Sequence, residues 1–310
     1  MIIDAYLTYI RCELNLSAST VLCYEKAIKD WAEFASGGNP ENFDPTDITV
    51  SDLRLWISSL ASGGASPRTL RLKSQALRSF YRYLARRHNA RSNPAAELQL
   101  AKLDKPLPAF VRQNEVTRLT EEYTPDSGSE YIVVRNRLII TLLYQTGMRV
   151  SELVGLTDAA TDTFKGELKV LGKRNKERII PFGESLKEQI ENYRKIRASL
   201  PTKDPNLFLR PDGSPLTRNI IYRIVRSAME QTGVSSTKKS PHVLRHTFAT
   251  HMVDNGADLT AVQEILGHTS LATTQIYTHT SFRELRDTYM KAHPRAAGKT
   301  PADPEDEKKR

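Results

Sequence analysis

Ser240-Pro241-His242-Val243-Leu244-Arg245-His246 opens a helix and puts two polar side chains on one face of it. Ser240 is a capping residue and Pro241 suits the first helical position, so the start is written locally. His242 and Arg245 then stand three residues apart and share a face. Alone, such a pair is often structural. His242 and His246 also have the i, i+4 spacing of helical zinc ligands. The Glu of the His-Glu-x-x-His motif is missing and no third ligand is set up by spacing, so no metal is expected.

Four other blocks lie outward from this one. They are Thr146-Gly147-Met148-Arg149-Val150-Ser151-Glu152-Leu153, Gly172-Lys173-Arg174-Asn175-Lys176-Glu177-Arg178, Leu266-Gly267-His268, and Thr274-Gln275-Ile276-Tyr277-Thr278-His279. Each has an ordinary explanation when taken singly. Arg149 can cap the preceding helix or pair with Glu152, and Lys173 reads as a solvated turn lysine. His268 can serve as a helix C-cap contact, and Tyr277 can sit in a core with its hydroxyl satisfied.

The elements around these blocks are mainly helical. Ile3, Tyr6, Leu7, Ile10 and Leu14 form one apolar stripe; Val21, Tyr24, Ile28, Trp31 and Phe34 form another behind a Ser17 or Ser19 cap. A third helix runs from about residue 50 to 61, and Ser66-Pro67 starts a fourth that reaches about residue 88. Its core face is Leu70, Leu77, Phe80, Tyr81 and Leu84, while Arg68, Arg71, Arg78, Arg82 and Arg86 share an adjacent arc of roughly 80°. No acid interleaves that arc, which favours a phosphate-contacting face over a merely solvated one.

Residues 1–91 therefore read as a four-helix domain. Asn93-Pro94, Pro106 and Pro108 mark 92–108 as a linker. A second domain, 109–296, is expected to be mostly α with a small sheet, its strands at 167–170 and 177–182 joined as a hairpin through Gly172, Lys173, Arg174 and Asn175. Helices are expected at 113–123, 130–146 (stopped by Gly147), 184–199, 217–232, 241–254, 258–267 and 270–278. The tail 297–310 mixes acids, bases, Gly and Pro without apolar anchors and reads as disordered.

Composition narrows the partner. The formal charge of +9 favours a polyanion. No apolar run approaches the roughly 18 residues of a spanning helix, and the N-terminus lacks a signal-peptide pattern, so a soluble, cytoplasmic protein is expected. Cys12 and Cys23 have neither metal-ligand spacing nor secreted-domain density, and read as core thiols.

Taken together, the five blocks resemble the tyrosine recombinase (phage integrase) family, whose Arg, Lys, His-x-x-Arg, His and Tyr signature they match in order and local sequence. Within it, the length, the block from Pro241 to His251 and the ending Ala292-His293-Pro294-Arg295 look most similar to bacterial Xer-type recombinases. The resemblance implies an N-terminal SAM-like core-binding domain and a catalytic domain of the DNA breaking-rejoining fold. It further implies that Tyr277 is the nucleophile, forming a 3′-phosphotyrosyl intermediate, and that Arg149, Lys173, His242, Arg245 and His268 are its catalytic partners. No cofactor is implied.

Chemistry explains why these residue types belong together. Guanidiniums clamp the non-bridging oxygens of a phosphodiester, the role of Arg149 and Arg245. A tyrosine with pKa near 10 needs a proton acceptor, for which His242 is the candidate. The departing 5′ oxygen needs an acid, for which Lys173 and Lys176 are rivals and the match to the family implies Lys173. His268 would bond a non-bridging oxygen. Lys176 and Arg178 are expected to contact the DNA backbone, and His279 to be non-catalytic.

The family comparison implies double-stranded DNA gripped as by a clamp. It also implies a homo- or hetero-tetramer on two DNA sites, with a second recombinase and a division-associated DNA translocase as further partners. The expected role is resolution of chromosome dimers at a dif-like site during chromosome segregation. A mobile-element integrase or excisionase remains an alternative, then a type IB topoisomerase-like enzyme or a DNA-binding accessory protein. Phe282, Leu285, Tyr289 and Met290 recur at helical spacing, as would suit a C-terminal helix docked on a neighbouring subunit, the other possibility being a helix folded back on its own domain.

Overall fold

The computed structural model describes residues 2–39, 43–88, 93–100, 109–125, 128–172, 177–201, 204–267 and 279–296, with side chains from 284 in the last segment. The chain divides into two compact units, residues 1–106 and 107–310.

The first unit holds α1 (Ile2–Cys12), α2 (Ala18–Ala35), α3 (Val50–Ser62) and α4 (Pro67–Arg87). Side-chain caps start three of them. The hydroxyls of Ser17 and Ser66 accept the amides of Thr20 and Thr69, and Thr49 forms a reciprocal capping box with Asp52. The apolar stripes then bury Tyr6, Ile10, Ile28, Trp31, Trp56, Leu77, Phe80 and Leu84 together. Trp31 donates its indole N–H to the Tyr81 hydroxyl at 3.0 Å in this core. Truncating Trp31 to Ala would cost about 3–5 kcal/mol.

Several expectations for this unit need correction. α1 ends at Cys12, so Leu14 lies beyond it and is 44% exposed, and Phe34, near the end of α2, is 40% exposed. Leu70 is only half-buried. Cys12 and Cys23 are exposed free thiols rather than core residues, because their helices turn other positions inward. A 3₁₀ turn, Pro94–Glu97, opens the stretch expected to be linker. Ala95 and Leu98 are nevertheless buried in the first core.

The second unit is built on α6 (Glu130–Thr146), which is buried along most of its length. Around it lie α5 (Gln113–Glu121), α8 (Glu184–Arg197), α9 (Arg218–Gln231) and α10 (Pro241–Asp254), with short α7 (Val150–Val154) following α6 in the chain. β1 (Thr161–Asp162), β2 (Glu167–Leu171) and β3 (Glu177–Pro181) form an antiparallel sheet in that order, one short strand more than the sequence suggests. In the β2–β3 register Leu168 faces Ile180 and Val170 faces Arg178. α11 (Leu259–Leu266) and α12 (His279–Ala292) complete the unit. No helix among the described residues is long and apolar enough to cross a membrane.

α12 packs against α10 and α11 of its own chain, burying Leu285, Tyr289, Ala292, His293 and Ala296 in the same core. Of the stripe expected to dock on a neighbour, Leu285 and Tyr289 are buried in their own unit, as in the alternative of a helix folded back on its own domain, and Met290 is half-buried. His293 stacks on Tyr289 with centroids 5.1 Å apart and also meets Tyr144 and Phe248. Phe282 and the tail 297–310 lie outside the described side chains and residues.

Candidate active site

Two left-handed glycines and the exposed end of a helix bring three arginines together. Gly147 caps α6 at φ 58°, and Gly267 caps α11 at φ 65°. Both positions suit glycine conformationally; an added Cβ would collide at the first and crowd its neighbour at the second. At Gly147 it would meet Phe248 and Leu266 within 2.7 Å, and at Gly267 it would press on the Arg178 side chain at 3.0 Å.

The last carbonyls of a helix have no partner within it. Here three successive ones are taken by three different arginines. Ile265 O accepts Arg178 Nε at 2.9 Å, Leu266 O accepts Arg245 Nη2 at 2.6 Å, and Gly267 O accepts Arg149 Nη2 at 3.1 Å. The partial negative charge at a helix C-terminus favours cations there. Arg245 Nη1 also donates to the Gly147 carbonyl, so the two glycine turns are tied through one guanidinium.

Glu152 supplies the single buried carboxylate among these groups. Its Oε1 accepts Arg149 Nη1 at 2.9 Å and Arg178 Nη1 at 2.6 Å; its Oε2 accepts Arg178 Nη2 at 2.8 Å and the Arg149 amide at 2.7 Å. Burial opposes ionisation of Glu152, but the hydrogen bonds and charges of Arg178 and Arg149 more than reverse that and hold its pKa below the usual value. Arg245 is pushed down to about 10 by burial and by the neighbouring Arg149 and Arg178 charges, with Glu152 opposing. Three guanidiniums against one carboxylate leave the site strongly positive. An anion bound there would relieve the repulsion.

Toward the described residues, Arg149 and Arg245 each commit two of five N–H donors, and both stay partly exposed, the Arg149 side chain at 26%. Arg178 commits three and is 6% exposed. The expectation that Arg178 touches DNA is therefore corrected. On β3 it shares the inward face with Ile180, and its charge is met by Glu152.

His242 is exposed in the first turn of α10, its ring 6.3 Å from that of Tyr222. Lys173, Lys176, His268 and Tyr277 lie outside the described residues; the structure describes the chain up to Gly172 and Gly267, and again from Glu177 and His279. On α4, Arg68, Arg82 and Arg86 are exposed and Arg71 is half-buried. Arg78 is half-buried and gives two donors to the carbonyls of Ala95 and Leu98. The sequence offers Glu152 only as an ordinary partner of Arg149 and sends Arg178 to the DNA; their joint place in the buried part of the site is what it does not show. Their signals were the i, i+3 relation of Arg149 to Glu152 and the shared strand parity of Arg178 and Ile180.

Residues 109–284 match the phage integrase family, and residues 3–88 match the phage integrase N-terminal SAM-like domain. The chain belongs to the phage integrase family of tyrosine recombinases. A tyrosine recombinase XerC of Bacillus licheniformis is 38% identical over 297 residues, covering 94% of this chain and 95% of the relative. A tyrosine recombinase XerD of Staphylococcus haemolyticus is 37% identical over 300 residues, covering 95% and 99%. Among solved structures, the XerH recombinase in a post-cleavage complex with a palindromic difH substrate aligns with a TM-score of 0.69 at 25% identity, covering 93% of this chain and 83% of that one. The enzyme is thus a mostly helical tyrosine recombinase with a SAM-like N-terminal domain, acting in site-specific recombination.

Proposed function

We propose that this recombinase resolves chromosome dimers at a dif-like chromosomal site, working in the cytoplasm on double-stranded DNA. The observation that carries this reading is the match to XerC and XerD relatives at 34–38% identity over nearly the full length of both chains. The XerH structure with difH DNA agrees with it. A tetramer on two sites, with a second recombinase and a division-associated translocase, completes the proposed assembly. Within it Arg68, Arg71, Arg82 and Arg86 of the N-terminal unit contact phosphates, and binding is correspondingly salt dependent.

The proposed chemistry is an in-line displacement. The Tyr277 oxygen forms a bond to the scissile phosphorus while the bond to the 5′ oxygen breaks, leaving a 3′-phosphotyrosine. The phenolic proton passes to His242, and Lys173 protonates the departing 5′ oxygen, with Lys176 as its rival. Arg149 and Arg245 hold the non-bridging oxygens with their uncommitted N–H donors, and His268 supports them. The reverse attack by another strand's 5′ hydroxyl rejoins the DNA without outside energy.

Mapping bound sites across the host genome tests the biological part of this reading. One site near the replication terminus is expected; a set of mobile-element ends would overturn it.

A further inference from the structure

We infer that Arg178 is a positioning residue for strand cleavage, fixing Glu152 so that Arg149 gives the carboxylate a single guanidinium N–H and, with a second on the Gly267 carbonyl, keeps the remaining donors for the scissile phosphate. The inference rests on the reading of Arg149 as a phosphate ligand.

The geometry argues it directly. A guanidinium and a carboxylate pair best through two parallel N–H to oxygen bonds. On Glu152 that fork is occupied by Arg178, which donates to Oε1 at 2.6 Å and to Oε2 at 2.8 Å. Arg149 is left with one side-chain bond to Oε1 at 2.9 Å, while its backbone amide takes Oε2. Without Arg178, Arg149 would be the one remaining guanidinium in the cluster hydrogen-bonded to the buried carboxylate, with Arg245 acting on it through charge alone. The two-point pair would then be open to Arg149, withdrawing a second donor and neutralising the charge that the phosphate needs.

Arg178 is itself held hard enough to act this way. Its Nε donates to the Ile265 carbonyl at 2.9 Å, and its side chain lies where a Cβ on Gly267 would touch it. On β3 it stands directly after Glu177, so it also ties the base of the β2–β3 hairpin to the turn that carries Arg149. A surface arginine contacting DNA would show none of these contacts.

The test compares single-turnover cleavage of a nicked suicide duplex carrying the enzyme's own recombination site. The scissile group is either a normal phosphodiester or a methylphosphonate, whose missing charge lessens the need for Arg149. Arg178→Met is expected to keep DNA affinity but to cleave the phosphodiester slower by about 10- to 100-fold, short of or equal to the loss of a direct donor. On the methylphosphonate the deficit should shrink to about threefold or less, as it should for Arg149→Ala. Adding Glu152→Gln to Arg178→Met should recover part of the phosphodiester rate, because the carboxylate charge that captures Arg149 is gone. Arg178→Lys, which keeps the charge without the fork, should show the same pattern more weakly and carries the test if Arg178→Met does not fold.

Equal deficits on both substrates for the Arg178 variants, with Arg149→Ala still sensitive to the difference, would overturn the inference and leave Arg178 a purely structural residue. If Arg149→Ala is itself insensitive to the difference, the phosphate role of Arg149 fails, and the inference fails with it.

Discussion

Glu152 grips Arg149 at two points: Oε2 accepts the backbone amide at 2.7 Å and Oε1 accepts Nη1 of the guanidinium at 2.9 Å. The first bond caps α7 and the second aims the side chain, so one carboxylate both starts the helix and sets the direction of a catalytic candidate. Glu152→Ala removes the buried counterion from a cluster of three arginines, of which Arg178 is itself buried. It should lower the free energy of unfolding by about 3–5 kcal/mol, read as a fall in the urea midpoint. A loss below about 1 kcal/mol would mean that the cluster does not depend on this carboxylate.

The pair of Arg149 and Glu152 was legible in the sequence, because i, i+3 spacing is local information. So were the stop at Gly147, the capped start at Ser240 and most helix spans, each set by a residue acting on its immediate neighbours. Arg178 was not, because its partners are 26 residues away at Glu152 and 87 away at Ile265. Charge patterning alone sends an arginine to the surface; only strand parity with Ile180 pointed inward. The carbonyl partners of Arg78, Ala95 and Leu98, were hidden for the same reason, since they lie beyond the end of its helix. α12 shows the other limit: an amphipathic stripe demands a partner surface without saying whose.

Gly147 is required both by its left-handed backbone and by the space beside it. Gly147→Ala should destabilise the enzyme by about 1–3 kcal/mol or more, since a methyl group would meet Phe248 and Leu266. Cleavage should fall beyond what the stability loss explains, because the same carbonyl holds Arg245. Thermal unfolding and single-turnover cleavage, measured together, check both parts.

His293 gives the fold a dependence on pH. Burial, with His251 and Arg295 nearby, pushes its pKa down to about 3, and His251 is lowered as well. The unfolded chain takes up a proton near the ordinary value of 6.5 while the folded chain does not. Stability is therefore present above that value and is lost as pH falls from about 6.5 toward 3. The loss from His293 alone should reach about 2 kcal/mol at pH 5. His293→Phe should flatten the stability profile between about pH 5 and 7. A profile as steep as the parent's would remove His293 as its source.

Lys173 is proposed to protonate the leaving oxygen. Lys173→Ala should slow cleavage of an ordinary suicide substrate by about 10²-fold or more. A 5′-bridging phosphorothiolate, whose sulfur leaves without an acid, should restore the rate. Absence of rescue for Lys173→Ala, with rescue for Lys176→Ala, would transfer the role to Lys176.

Tyr277 is the residue proposed to become joined to DNA. On a nicked suicide duplex carrying the mapped recombination site, the parent enzyme should accumulate a covalent adduct whose linked peptide contains Tyr277. Tyr277→Phe should bind the same duplex and form no adduct. An undiminished adduct with Tyr277→Phe would contradict the account.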